Sequence, residues 1–181
     1  MEFVEPIRDK EQIDLVKKIL KEHGTRDYLL FLMGINSGLR ISDILKLKIY
    51  DVRNRNYIEI KEQKTGKYKK FPITDSFKNV LEEYIYNKND NDWLFPSQHG
   101  AKAITRIQAY RIISNACFEA GIEARIGTHT LRKTFGYHFY QKNKDIALLQ
   151  SILNHSAPSV TLRYIGITQD IIDSKLKAFS L

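Results

Sequence analysis

Apolar residues recur at helical spacing along most of this chain. Ile13, Val16, Ile19 and Leu20 share one face of a helix. Asp9 and Gln12, just ahead of them, have the spacing of a capping box. Thr25 is placed to cap a second helix. Its run Tyr28-Leu-Leu-Phe-Leu-Met-Gly-Ile35 is apolar all round, which predicts a buried helix ending near Gly38. That run is far short of the roughly 20 residues that span a bilayer. A short helix is expected over 41–47. The period then changes to two in Tyr57-Ile-Glu-Ile-Lys61 and again in Lys70-Phe-Pro-Ile73, with Lys64-Thr-Gly-Lys67 between them, which predicts a β-hairpin. Pro72 lacks a backbone N–H and marks the second strand as an edge.

Helical spacing then resumes. Thr74 can cap a helix with Phe77, Val80, Leu81, Tyr84 and Ile85 on one face. Residues 87–92 are polar and predict a loop. A helix over 106–120 stops at Gly121, a favoured residue just past a helix end. Thr128 is expected to cap a helix over 129–142, and Asp145 to open one that ends at Asn154. Pro158 and Ser159 open a short helix that reaches Tyr164. Ile171, Ile172, Leu176 and Phe179 give the tail an amphipathic spacing, suited to packing on its own domain or on a neighbouring protomer. The sum is a mainly α domain with a small antiparallel β-sheet, an α+β fold in one unit over 1–181.

Composition narrows the partner. The chain has 181 residues, of which 43% are hydrophobic, enough for one compact core. Cys117 is the single cysteine, which excludes an intrachain disulfide and a four-cysteine zinc site and fits a reducing compartment. The acidic start lacks the apolar core of a secretory signal, so a cytoplasmic location is expected. Lysine and arginine number 29 against 21 acids, and the net charge of +8 favours a polyanion, nucleic acid first, as partner.

Several residues could handle a phosphate. His129 and Arg132 lie three apart on one helix face at a helix N-terminus, where free N–H groups favour anions. Arg40 follows the turn Ser37-Gly38-Leu39 and offers a planar fork to phosphate oxygens, with Asp43 three residues on to orient it. Lys64, with Lys67 as its competitor, stands at the hairpin tip. His155 follows Leu153-Asn154. Tyr164 is one of ten tyrosines, and needs nearby positive charge or a base to act as a nucleophile. Taken singly, each is explained as well by an ordinary surface: an incidental pair, an ion pair, a solvated lysine, a rim tyrosine.

Their order changes that. Arg40 in Ser-Gly-Leu-Arg-Ile-Ser-Asp, Lys64 in Lys-Thr-Gly, His129-Thr-Leu-Arg132-Lys-Thr-Phe, Leu-Asn-His155-Ser and Thr-Leu-Arg-Tyr164 follow one another as in the tyrosine recombinases, the phage integrases among them, which this chain resembles from about residue 8 to 175. Asp92-Trp-Leu-Phe-Pro-Ser97 also looks like a family segment, without catalytic duty. Asn154 stands where the family commonly has glycine. The resemblance implies the family's catalytic-domain fold, without the N-terminal core-binding domain that members usually carry. It implies site-specific DNA strand cleavage and rejoining through a 3′-phosphotyrosyl intermediate, with no metal and no cofactor. Tyr164 would be the nucleophile, Arg40, Arg132 and His155 would hold the phosphate, and Lys64 and His129 would move protons, with Asp43 in support. Double-stranded DNA would be the partner, with a tetramer of this chain, or a second recombinase, assembled on it. Two other readings share these residues: a non-catalytic DNA-binding regulator of a full-length recombinase, and a type IB topoisomerase-like enzyme that reseals the same strand.

Overall fold

The computed structural model describes residues 4–98 and 101–179. Its elements follow the apolar pattern closely. Helix α1 (Lys10–His23) is capped by Asp9, whose side chain accepts from the Glu11 N–H, and it buries Ile13, Val16 and Leu20. Helix α2 (Thr25–Ser37) is buried through Leu29, Leu30, Phe31, Leu32 and Met33. Full burial of each such side chain stabilises the fold by about 1.5–3 kcal/mol. Gly24, not Thr25, occupies the cap. It closes α1 through its N–H to the Leu20 carbonyl and opens α2 at once, so Thr25 is already helical.

Gly38 ends α2 in the left-handed conformation (φ 62°), and α3 (Ile41–Ile44) follows, shorter than the 41–47 expected. A 3-10 turn at Ile49–Asp51, not foreseen, comes next. Strands β1 (Tyr57–Lys61) and β2 (Tyr68–Pro72) pair antiparallel, with Ile58 opposite Phe71 and Ile60 opposite Lys69. The second strand thus begins two residues earlier than its apolar alternation indicates. Helix α4 (Asp75–Ile85) follows Thr74. The Trp93 segment returns to the core: Leu94 donates to the Leu47 carbonyl at 2.9 Å, and Leu94 and Phe95 are buried.

Thr105 and Gln108 form a reciprocal capping box at the start of α5 (Arg106–Glu119). Helix α6 (Thr128–Asn143) starts after Gly127, and it is Thr130, not Thr128, whose hydroxyl accepts from the Gly127 N–H. Helix α7 (Ile146–Leu153) is capped by Asp145 and closed by Asn154 at φ 52°, as expected of an asparagine there. Helices α8 (Pro158–Tyr164) and α9 (Ile167–Lys177) complete the chain.

Three apolar clusters meet around α2 and α6. One joins α2 and α3 to the hairpin and α4, a second joins α1 to α5, and a third packs α7, α8 and the start of α9 on α6. The stripe Ile171, Ile172, Leu176 and Phe179 is exposed, so the tail does not bury it on its own domain. Among the described residues no helix is long and apolar enough to cross a membrane.

Two glycines set how closely α6 approaches α2. A Cβ on Gly34 would stand 2.4 Å from Leu131 Cδ1, and one on Gly38 would stand 2.5 Å from Phe135 Cδ1. At Gly34 the Leu131 Cβ, 2.9 Å away, is fixed to the α6 backbone, so a methyl group there displaces α6, and at Gly38 the Phe135 ring would have to give way. Gly34→Ala is therefore expected to lower stability by about 1–3 kcal/mol through overpacking. Chemical denaturation measures it; an unchanged midpoint would mean that α6 has room to shift.

Candidate active site

The close approach of α6 to α2 places Arg132, on the second turn of α6, beneath two helix ends. Its Nη1 donates to the Gly38 carbonyl and its Nη2 to the Leu153 carbonyl, both at 2.6 Å. The side chain is 3% exposed. A buried guanidinium keeps its charge, and the carbonyl-rich C-termini of α2 and α7 favour a cation there. One residue thus ties the turn that carries Arg40 to the turn that carries His155.

Arg40 precedes α3 and points its Nη1 at Glu62 Oε1, 2.6 Å away. Glu62, just past β1, is fully enclosed. Its Oε2 accepts from Thr65 Oγ1 at 2.7 Å and from Asn154 Nδ2 at 2.6 Å. Lys69 Nζ lies 3.7 Å and Arg132 Nη1 3.9 Å from Oε1. Burial alone would raise the Glu62 pKa, but the Thr65 and Asn154 hydrogen bonds and the Lys69 and Arg40 charges outweigh it and hold the carboxyl below its ordinary value. Lys69 also donates to the Ile152 carbonyl. Burial, with Arg132 and Arg40 nearby, brings the Lys69 amine down to about 8 despite Glu62.

Lys64 and Lys67 are exposed in the hairpin loop. Lys64 is outside the Glu62 cluster, yet its charge is one of those felt at His155. Asp43 is buried, and its Oδ1 accepts from the Gln63 N–H at 3.0 Å while Oδ2 has no hydrogen-bond partner. It steadies the hairpin base; the carboxylate that holds Arg40 is Glu62.

Tyr164 ends α8 with its ring edge-on to His155, centroids 4.8 Å apart. Its hydroxyl is buried and makes no hydrogen bond of normal geometry. Burial pushes its pKa up, and the opposing pull of Arg132 and Arg40 does not cancel that, so the phenol is protonated at rest. Lys133, buried, stands 5.3 Å over the same ring. His129 lies on the solvent side of the first turn of α6; partial burial and the charges of Arg132, Arg106, Lys133 and Arg40 hold its pKa below the ordinary value.

His155 contacts Thr161 Oγ1 through Nδ1 at 3.1 Å, and that hydroxyl is 3.3 Å from the Ala157 carbonyl. Thr161 has one proton to give. Given to Ala157, it makes Nδ1 the donor and leaves a lone pair on Nε2; given to Nδ1, it leaves Nε2–H free to donate, the tautomer a phosphate oxygen selects. Burial first, then Arg132, Arg40, Lys69 and Lys64, bring His155 down to about 4, so the ring is neutral at pH 7.

The structure thus brings Arg40, Arg132, His155 and Tyr164 together, sets His129 at the rim and leaves Lys64 on the loop. Sequence reasoning missed Glu62, Lys69, Thr65 and Lys133, and read Asn154 only as a helix end. A signal for two of these was present. Ile58 and Ile60 face the core at alternate positions, Glu62 continues that face, and Lys69 lies opposite Ile60 on it. Among the described residues no group of three or more His, Cys, Asp or Glu side chains is arranged to hold a metal ion.

A mainly helical domain with one hairpin, closed around a cationic cluster and a tyrosine, is the catalytic-domain fold of tyrosine recombinases. The phage integrase family model matches residues 7–170, and the chain belongs to that family. It is 52% identical over 179 residues to the "probable integrase/recombinase YoeC" of Bacillus subtilis, covering 99% of this chain and 98% of that one. It is 34% identical over 145 residues to a tyrosine recombinase of Pseudothermotoga lettingae, covering 78% of this chain and 50% of the relative. A crystal structure of the XerH site-specific recombinase bound to difH substrate, a pre-cleavage complex, is 25% identical with a TM-score of 0.74, covering 91% of this chain and 51% of that one. This chain therefore matches the whole of one relative and about half of the other two.

The His155 environment predicts an acid-sensitive fold. Unfolded, the imidazole titrates near its ordinary 6.5; folded, near 4. Its contribution to stability is complete above pH 6.5 and declines as pH falls from 6.5 towards 4, because the unfolded chain takes the proton first. The melting temperature should fall across that window and fall less in His155→Gln. Equal slopes for the two proteins would show that His155 is not held neutral.

Proposed function

We propose that this chain is the catalytic domain of a site-specific DNA recombinase and that Tyr164 is its nucleophile. The observation that carries the reading is the buried Tyr164 hydroxyl, set beside His155 and against the guanidinium of Arg132, with the charge of Arg40 also on it.

The chemistry follows from the groups. Tyr164 Oη forms a bond to the scissile phosphorus, and the bond from phosphorus to the 5′ oxygen breaks. The phenolic proton passes to His129, and Lys64 gives a proton to the leaving 5′ oxygen. Arg40 and Arg132 offset the charge that grows on the nonbridging oxygens, and His155 donates a hydrogen bond to one of them. Fixed cations here do the work that metal ions do in other phosphoryl transfers. A 5′-hydroxyl from another strand reverses the step. The phosphotyrosyl bond conserves the energy of the phosphodiester, so no nucleotide is consumed.

Double-stranded DNA fits the +8 charge as substrate, and backbone contacts should make binding fall steeply with salt. Recombination between two duplexes calls for several copies of the chain, and the exposed stripe Ile171, Ile172, Leu176 and Phe179 is suited to dock on a neighbouring protomer. Sedimentation on DNA with and without residues 168–181 tests this: the full chain should form a larger assembly, and identical assemblies would remove the tail from that role.

Covalent trapping tests the chemistry. Mixed with nicked duplexes drawn from DNA flanking its own gene, the chain should give an SDS-resistant adduct that Tyr164→Phe does not. Arg40→Ala should form it about 10²–10³-fold more slowly. Salt-sensitive binding to the same DNA without any adduct would favour the regulator reading, and relaxation of supercoiled DNA without recombinant joints would favour the topoisomerase-like one.

A further inference from the structure

Glu62 has no place in the strand-transfer chemistry above, yet it is the most heavily partnered side chain in the site. Its two oxygens receive Arg40, Thr65 and Asn154 directly, with Lys69 and Arg132 a little further off. Those partners arrive from four places: the residue before α3, the hairpin, the second turn of α6 and the turn after α7. Each also carries or adjoins a group that the reaction uses. Arg40 and Arg132 are the phosphate clamp, Thr65 follows Lys64, and Asn154 precedes His155.

Accessibility separates Glu62 from those groups. Its side chain is 0% exposed, whereas that of Arg40 remains 15% exposed. DNA can reach Arg40 but not the carboxylate behind it. The charge arithmetic points the same way. Arg40, Lys69 and Arg132 converge before any phosphate is present, and three like charges in a water-poor pocket separate unless an anion lies among them. Asn154 adds an independent observation. Its left-handed backbone (φ 52°) suits glycine or asparagine, and of the two only asparagine has a side chain, which here bonds Glu62 at 2.6 Å.

We propose that Glu62 is a positioning residue for strand transfer: its enclosed carboxylate, tied to Asn154, holds Arg40, Lys69 and the His155 turn in the arrangement that the scissile phosphate requires, without itself touching DNA. This rests on the recombinase reading.

The test compares Glu62→Gln, Glu62→Asp and Asn154→Gly with the unsubstituted chain, using the nicked duplex. Three quantities are read: the single-turnover rate of adduct formation, the affinity for the same duplex and the melting temperature. Glu62→Gln should slow the adduct about 10- to 100-fold, as loss of a group that orients first-line residues does elsewhere. Its affinity should change less than about threefold, because backbone contacts along the duplex dominate binding. Glu62→Asp keeps the charge and should recover part of the rate. Asn154→Gly keeps the turn and should slow the adduct severalfold, so it carries the test if Glu62→Gln does not fold. An unchanged rate in Glu62→Gln, or in Asn154→Gly should Glu62→Gln not fold, overturns the inference alone. Rate and affinity that fall together in step with melting temperature also overturn it, since that is mere loss of fold. No adduct from the unsubstituted chain overturns the recombinase reading, and this inference with it.

Discussion

Three cationic side chains, Arg40, Lys69 and Arg132, lie within 3.9 Å of a single oxygen of Glu62, and the rest of the structure is arranged around that fact. Two unit charges about 4 Å apart interact by roughly 4 kcal/mol at the effective dielectric of a protein site. An attraction of that size to each cation near Glu62 is a sizeable part of the net stability of a small domain, about 5–15 kcal/mol. Cations gathered around one point in a buried site need an internal anion among them. The hairpin supplies it. Glu62 sits where β1 ends, on the face of the sheet that also carries Ile58 and Ile60, so the apolar packing of that face holds a charge at the centre of the site.

Arg132 turns the same electrostatics into architecture. Its two bonds to Gly38 and Leu153 give helix ends that would otherwise present bare carbonyls a shared, buried partner. They can form only because Gly34 and Gly38 let α6 come close to α2. Packing and charge are thus not separate contributions. A methyl group at position 34 would act on Arg132 and its two carbonyl partners through a displacement of α6.

This division explains what was legible in the sequence. The helices could be read because their apolar spacing is strong, and Arg40, His129, Arg132, His155 and Tyr164 could be read because their order along the chain matches a family pattern. The misplaced caps at Thr25 and Thr128 share one cause: a neighbouring glycine takes the non-helical position, so each threonine is already inside its helix. Glu62 and Lys69 were missed as site residues, although the alternation that turns Ile58 and Ile60 inward runs on to Glu62, because charged residues in a short hairpin are usually solvated. The register, which sets Lys69 opposite Ile60, turns Lys69 inward as well. Asp43 was visible as a charge near Arg40, but the chain path past Gln63 gave it another partner.

The resting state of Tyr164 follows from the same balance. The packing of α8 through Thr161, and of Ile165 just after it, keeps the Tyr164 hydroxyl from water. Burial keeps the phenol protonated, and a phenol is a poor nucleophile towards stray electrophiles. The arginines beside it oppose that effect without overcoming it. A bound phosphate alters both sides of the balance. On the proposed reading it would meet the part of Arg40 that Glu62 leaves exposed, and its approach would favour the His155 tautomer that donates from Nε2. If Tyr164 is the nucleophile, as proposed, it would then be flanked by cations engaged on the atom it attacks. The cations that would hold that phosphate are already gathered around Glu62, so the phosphate is the one group still to be brought in.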